Sequence, residues 1–600
     1  MCGIFGYIGT RKNVPGLVFE GLKSLEYRGY DSWGLAAPDK NGKLRILKNT
    51  GKIGDSRVDS LPDNGMALGH TRWATHGGVT MENAHPHLDC SGRIALIHNG
   101  IIENYLEIKK ELVKTGHRFR SETDTEVAVH LIEEIISKSE KKGLSRKVLF
   151  GRAVRQAFGK FSGLNAVIAM DAESEVFVAA KNGSPLIAGH GESHGENFLA
   201  SDAHAILPYT RRLYFMEDGE IITLDRSGIT VQNLADGQEK PVRFQQIDWK
   251  IEKEDKGKLP HFMLKEIFDQ PKILLGIAAS TEVTLPEFAK LIDNSYGTYL
   301  VGCGTAAYAC LAGTYIFSKI AKKHVNFSVA SEFSYLIDFL TPKSLVIGLS
   351  QSGETIDLLD SLKKARGKGV QVGALVNVLG SSLYRMADHK QLLHAGTEKA
   401  VVSTKAFTSK LAYLMMIAYL LKKDGVSGRK ILETAGREAA RVVSSAYRKK
   451  IQSLAENLSS AKDIYIIGRG VSYPVALEAA LKIKEASYVH AEGFPAGELK
   501  HGVIALIEKN TPCIGFLPND ETYNDTLSGL IEMKSRGGLI IGISNKPHEC
   551  FDIFLPVVDC GIASAIPNTV IAQLLGYYLA IQKGIDPDKP RNLAKSVTVK

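Results

Sequence analysis

The sequence predicts a multidomain protein of mixed α+β and α/β class, with two sheets and outer helices at the N-terminal end and two parallel-sheet units after them. Three observations carry this. Length comes first: 600 residues are ample for three or more cores. The first 240 residues are dense in short β-like runs, and beyond about residue 258 the pattern becomes one of alternating strands and helices. That alternation then occurs twice, with matching glycines. Gly302, Gly348 and Gly373 are spaced 46 and 25 residues apart, and Gly468, Gly515 and Gly542 are spaced 47 and 27. Closely matched spacing at three strand-like runs indicates an internal duplication.

In the N-terminal part the runs MCGIFGYIG, MALGHTRW, RIALIHNG, LNAVIAMD, EVFVAAK, FLASD and IITLD read as strands, with helices near 13–27 and 123–138. The polar segment QEKPVRFQQIDWKIEKEDKGK follows and reads as a linker. The expected division is 2–240, a linker at 241–258, units at 259–440 and 441–590, and a tail at 591–600.

Bulk composition excludes several classes. No apolar run approaches the roughly 18 residues that span a bilayer, and the N-terminus lacks a signal-peptide layout, so a cytoplasmic protein without membrane association is expected. The net charge of +9 is mild, and KKARGK and RKK are short and free of aromatics, which speaks against nucleic-acid binding. Seven scattered cysteines without a CxxC pair read as reduced thiols. His85, His87, Asp89 and Cys90 have the residue types of a metal site, but read as an ordered loop, and no metal is expected there.

Candidate chemistry begins at Cys2. Trimming of Met1 would give this residue both a thiol and an α-amine, whose reference pKa is about 7.7–8.0; the base then travels with the nucleophile. Buried inert packing is the alternative. Arg72 in HTRWATHG suits a carboxylate, and Asp124 in SETDTE suits an ammonium. Asn99 and Gly100 in HNGII pair an amide side chain with a backbone N–H, as an oxyanion site requires. Together these groups fit an amino acid with a side-chain carboxamide.

In the first repeat, SQSGET follows a strand and opens a helix, so Ser350, Gln351, Ser352 and Thr355 add donors to a helix N-terminus suited to phosphate. Simple helix capping is the alternative. The matching loop of the second repeat, LPNDET, lacks these hydroxyls apart from its threonine. Gly302-x-Gly304-x-x-Ala307 with Glu332 is also a weak dinucleotide fingerprint. Glu478, Lys482 and Glu485 share one face of an otherwise apolar helix, where a polar cavity explains them better than surface ion pairs do.

CGIFGYIG, LEYRGYDSWG, HTRWATHG, HNGIIEN and SETDTE resemble the glutaminase domain of the class II, N-terminal-nucleophile (Ntn) amidotransferases. GCGT, SQSGET, STKAF, HAEGFPAGELKHG and LAKSVTV resemble the sugar isomerase (SIS) domains of the glucosamine-6-phosphate synthase family. The resemblance runs in order along the chain. It implies an αββα sandwich followed by two flavodoxin/Rossmann-like SIS domains. It also implies glutamine hydrolysis at Cys2, with Asn99 and Gly100 as the oxyanion hole, and Arg72, Trp73, His76 and Asp124 around glutamine. Trp73 corresponds to a gate on an ammonia channel.

For fructose 6-phosphate the implied contacts are Thr305, Ser350, Gln351, Ser352, Thr355, Val401, Ser403, Glu478, Lys482 and Ala594. Glu485 is the implied proton-transfer base, His501 the ring-opening residue and Lys595 the Schiff-base lysine. Read alone, Lys595 belongs to a mobile tail. No cofactor is implied, and the family is generally homodimeric. One departure is Ala306, where the family commonly has a serine that contacts the sugar; weaker sugar binding is the expected result. A phosphosugar-sensing regulator and an amidotransferase acting on another ketose phosphate remain as alternatives.

Overall fold

The computed structural model describes residues 2–139, 143–193, 195–248, 255–280 and 284–598. These fall into two compact units. The first holds the residues up to 248 together with 596–598, and the second holds 255–595.

The first unit has two antiparallel sheets. In the eight-stranded sheet, Gly3–Ile8 lies between Asn197–Ala200 and Met66–Arg72, with Ser32–Pro38 and Leu44–Thr50 beyond. In the seven-stranded sheet, Ile94–Gly100 pairs with Asn165–Asp171, which pairs with Val176–Lys181. Alternation along the strands makes the layers. Ile4 and Ile8 pack with Ala95, Ile97 and Ile168 between the sheets, while Phe5 and Tyr7 turn outward onto Val14, Val18 and Leu22. On the other side, Leu96, Val167 and Val178 meet Val127, Ile132 and Phe150 of the helices Asp124–Ser139 and Arg146–Phe158. The result is helix, sheet, sheet, helix. Helix Val14–Leu25 begins where Asn13 caps the Gly16 amide and Pro15 needs no donor partner.

The polar segment after residue 238 enters this unit further than its composition suggests. Glu239–Lys240 pairs with Val231–Gln232, Gln245–Gln246 pairs with Arg212–Leu213, and Ile247 is buried. Solvent-facing edge strands tolerate a polar composition, which is why the segment reads as linker.

The second unit contains two five-stranded parallel sheets. Each has its strands in the order 2-1-3-4-5. In the first sheet that order is Asn326–Val329, Gly297–Gly302, Ser344–Ser350, Gln371–Val376 and His389–Leu392. In the second it is His490–Pro495, Asp463–Gly468, Pro512–Leu517, Leu539–Ser544 and Ile553–Pro556. The register bears out the repeat at two glycines, since Val301 pairs with Gly348 and Ile467 with Gly515. At the third it slips by one residue: Gly515 faces Gly542, whereas Gly348 faces Ala374 rather than Gly373. Helices Thr305–Ile316, Lys405–Leu421, Ser472–Ser487 and Ala565–Gln582 share one large apolar core. Among the described residues, no helix is long and apolar enough to cross a membrane.

Candidate functional site

Pairing of Gly3 with Thr71 brings Cys2 to the end of the Met66–Arg72 strand. The Trp73 amide donates to Cys2 Sγ at 3.2 Å. Burial pushes the thiol above its ordinary value, with the Trp73 amide and Arg72 acting in the opposite direction. Close approach here depends on Gly29 of the LEYRGYDSWG stretch, because a Cβ would come within 2.7 Å of the Arg72 carbonyl carbon. Asp31 then accepts from the Ala74 amide at 2.8 Å, and its own amide donates to the Arg72 carbonyl at 3.0 Å.

One cavity is lined by Cys2, Arg72, Trp73, His76, Asn99, Gly100 and Asp124, so all seven residues picked out in the N-terminal part converge. Asn99 Nδ2 donates to the Cys2 carbonyl at 3.0 Å. His70, which sequence reasoning missed, sets that orientation. Its Nε2 lies 3.1 Å from both the Asn99 Oδ1 and the His98 carbonyl, two acceptors, so Nε2 carries the proton and leaves the Asn99 NH2 toward Cys2. Burial holds His70 neutral, with its pKa lowered to about 3. Gly100 has φ of +140°, and a Cβ there would meet the Leu164 carbonyl oxygen at 2.4 Å.

Arg72 donates to the carbonyls of His76, Gly77 and Gly78, and so shapes the loop that carries His76. Asp124 opens the helix Asp124–Ser139; it is buried and accepts from the Ile102 amide at 2.8 Å.

In the second unit, strand order reverses between Gly297–Gly302 and Ser344–Ser350, the place where open α/β sheets bind ligands. The loops after both strands carry Thr305 and the 350–355 segment. Ser350 Oγ accepts from the Gly353 amide at 2.9 Å, and Ser352 Oγ from the Glu354 amide at 3.2 Å. Thr355 stands at the N-cap of Ile356–Gly367 without capping it through its side chain.

Lys482 joins the two repeats. Its Nζ donates to Thr305 Oγ1 at 2.9 Å and to the Ser403 carbonyl at 3.2 Å, and lies 2.6 Å from Glu485 and 3.5 Å from Glu478. Glu478 and Lys482 side chains are fully buried. Burial raises Glu478 to about 7, with Glu485 adding to it and Lys482 opposing. Burial acts to lower Lys482, but Glu478 and Glu485 outweigh it and hold the amine above its ordinary value.

Lys595 is no loose tail residue. It lies 2.6 Å from Glu398, and both side chains are almost wholly buried. Glu398 also accepts from Ser403 Oγ at 3.0 Å and from the Thr404 amide at 2.8 Å. Although burial alone would raise it, Lys595, the Thr404 amide and Lys410 hold Glu398 down at about 2. This carboxylate carried no signal in the sequence, because its partners lie 5 and 197 residues away. Val401 is buried and its amide donates to the Asp588 carbonyl, Ala594 is half-buried beside Lys595, and Ala306 is buried in the first turn after Thr305. His501 is exposed at the end of the turn Ala496–His501.

A glutamine amidotransferase domain model matches residues 70–208, and a SIS domain model matches 291–420 and 457–552. A glutamine amidotransferase domain followed by two SIS segments defines the class. Proteins named glutamine–fructose-6-phosphate aminotransferase (isomerizing) are similar along their whole length and that of this chain, at 44% identity in Pyrococcus horikoshii and 42% in Thermus thermophilus. The solved C-terminal domain of glucosamine-fructose-6-phosphate aminotransferase from Francisella tularensis is covered completely by 56% of this chain, at 34% identity and a TM-score of 0.52. The chain belongs to the glutamine–fructose-6-phosphate aminotransferase (isomerizing) family.

Proposed function

We propose that the protein hydrolyses glutamine and uses the ammonia to convert fructose 6-phosphate into glucosamine 6-phosphate. The observation that carries this is the convergence of Cys2, Asn99, Gly100, Arg72 and Asp124 on one cavity, in a chain whose other unit gathers buried carboxylates and lysines at a sheet switch point. Residues 2–240 serve the first reaction, 259–590 and the tail the second.

With Met1 removed, the Cys2 amine takes the thiol proton as sulfur attacks the glutamine carboxamide carbon. Asn99 and the Gly100 amide stabilise the oxyanion, ammonia leaves with a proton from the amine, and water cleaves the thioester to glutamate. Arg72 and Asp124 hold the α-carboxylate and α-ammonium, with Trp73 and His76 closing over them.

In the second reaction Ser350, Gln351, Ser352 and Thr355 hold the phosphate, and Thr305, Val401, Ser403, Glu478, Lys482 and Ala594 line the sugar. His501 opens the ring and Lys595 condenses with the C2 carbonyl. Ammonia displaces the lysine to give the C2 imine, and Glu485 moves a proton from C1 to C2. The C2 imine, formed at the sugar's own carbonyl carbon, activates the adjacent C–H without a cofactor. The protein works as a cytoplasmic homodimer.

The test is the intact protein with glutamine, with and without fructose 6-phosphate, following glutamate and glucosamine 6-phosphate together. Equal yields, with faster glutamate release when sugar is present, support the reading. Glutamate without amino sugar overturns the acceptor and leaves the glutaminase.

A further inference from the structure

Away from the Cys2 cavity, the first unit brings four metal-ligating side chains to one point. Cys90 follows the short strand His87–Leu88, His117 follows the helix Tyr105–Lys114, and His130 and Glu133 stand three residues apart on Asp124–Ser139. Their ligand atoms all lie within 4.8 Å of one another. Cys90 Sγ is 3.7 Å from His117 Nδ1 and 3.5 Å from His130 Nδ1. The two Nδ1 atoms are 3.3 Å apart, and each is 3.2 Å from Glu133 Oε2.

A tetrahedron around zinc, built from ordinary Zn–S, Zn–N and Zn–O bond lengths, has edges of about 3.3 Å between two nitrogens or nitrogen and oxygen, and about 3.6 Å between nitrogen and sulfur. Five edges of this cluster fall on those values.

Hydrogen bonding accounts for the arrangement poorly. An imidazole Nδ1 directs one proton or one lone pair along one line in the ring plane, yet each Nδ1 here faces a thiol, a second Nδ1 and a carboxylate oxygen at nearly equal distances. One cation at the centre satisfies all four atoms at once. The outer nitrogens agree with this. His117 Nε2 lies 3.2 Å from Glu134 Oε2, and His130 Nε2 lies 3.8 Å from Glu126 Oε1. The Glu134 contact favours the proton on His117 Nε2 and leaves its Nδ1 lone pair for metal, the usual outer support of a metal-bound histidine, while Glu126 faces His130 Nε2 beyond hydrogen-bond distance.

We propose that Cys90, His117, His130 and Glu133 bind one zinc ion as a closed structural site. A thiolate, two imidazoles and a carboxylate suit zinc better than calcium or magnesium, and four protein ligands leave no position for substrate. The site ties three separate segments together. It lies beside Glu126, whose carboxylate accepts from the Arg120 and Ser121 amides at 2.8 and 2.7 Å and so holds the turn before Asp124. Of the residues the sequence singles out as metal-like, only Cys90 takes part. His87 instead accepts or donates at Thr123 Oγ1, 3.0 Å away.

The experiment uses the full chain, stripped by chelator under reducing conditions and titrated with Zn2+ and, separately, Co2+. Expected results are one equivalent of tightly bound zinc per chain, a higher Tm with zinc, and the intense visible bands of tetrahedral cobalt with a thiolate-to-metal charge-transfer band. Cys90→Ser removes the charge-transfer band, and Glu134→Gln, an outer-nitrogen variant that keeps every ligand, weakens zinc about tenfold. Absence of stoichiometric zinc in the unsubstituted chain, or a cobalt spectrum unchanged in Cys90→Ser, overturns the site. Because the parent protein gives the primary readout, misfolding of a variant leaves the proposal open to refutation.

Discussion

The two parallel sheets of the second unit share one strand order and one register at their first two glycines, yet they carry different chemistry. The first copy follows its third strand in sheet order with Ser350-Gln351-Ser352, the second with Leu517-Pro518-Asn519. In exchange, the second copy has a Glu478–Lys482–Glu485 face, its first two side chains fully buried, on the helix after its first strand, where the first copy has the uncharged TAAYACLAGTYI. Duplication left the scaffold in place while the side chains diverged: one copy carries the hydroxyl-rich loop proposed to hold the phosphate, the other the charged face proposed to move protons. Lys482 joins them, since its bonds to Thr305 and to the Ser403 carbonyl reach back into the first copy.

Replacement of the proposed proton-transfer group sharpens this division most. Glu485→Gln keeps the size of the side chain beside Lys482 but removes the base. Amino-sugar formation should fall about 10²–10⁴-fold, the usual contribution of a positioned acid or base, while glutamate release in the absence of sugar stays at the parent rate. A loss of both activities together would break the separation. Matched substitutions in the two loops come next. A hydrogen bond to a charged group contributes about 1.5–3 kcal/mol, so Ser352→Ala should raise KM for fructose 6-phosphate roughly tenfold to a hundredfold. Asn519→Ala, in the second copy, should leave it within about twofold, because Asn519 is tied to the exposed Asp559.

A pH experiment tests whether the charged face belongs to the second copy alone. Glu478 has a folded-state pKa of about 7 against an ordinary value of 4.5. Between those values the folded chain holds a proton that the unfolded chain has released, so stability falls as pH rises through that window. Glu478→Gln removes the dependence. Subtracting the Tm profile of the variant from that of the parent should give a curve that declines from pH 4.5 to 7 and flattens above. A flat difference would mean that Glu478 is ionised throughout.

How far these features were legible depends on whether the signal was local. Periodic runs such as RIALIHNG and the glycine spacing identify strands and the duplication, because alternation and turn chemistry act over a few residues. The hairpin Ser32–Thr50 escaped, since LRILKNT exposes much of its surface and alternates weakly. The candidates of the compact N-terminal motifs line one cavity, whereas His70 and Glu398 carried no such local signal. Each acts by orienting a group that is distant in sequence. Cys90 was grouped with its neighbours His85 and His87 for the same reason, when its partners lie 27 and 40 residues away.

The smallest effect concerns the third glycine, where the repeats differ by one register step. Gly542 and Gly373 therefore pack differently although their spacing suggests equivalence. A Cβ on Gly542 would lie 2.5–2.6 Å from three atoms of the Phe551 ring, whereas on Gly373 the nearest atom, of Phe288, is 3.0 Å away. Overpacking of a rigid ring costs about 1–3 kcal/mol, and Phe551 is further confined by stacking on Phe554 at 6.2 Å. Gly542→Ala should lower stability by that amount and Gly373→Ala by less, as read from denaturant midpoints at unchanged slope. Equal losses would mean that the two glycines meet the same constraint and that the register slip has no energetic consequence. A larger loss at Gly542 would show that the repeats had already parted in their packing, at the strand that pairs with the one leading into each loop.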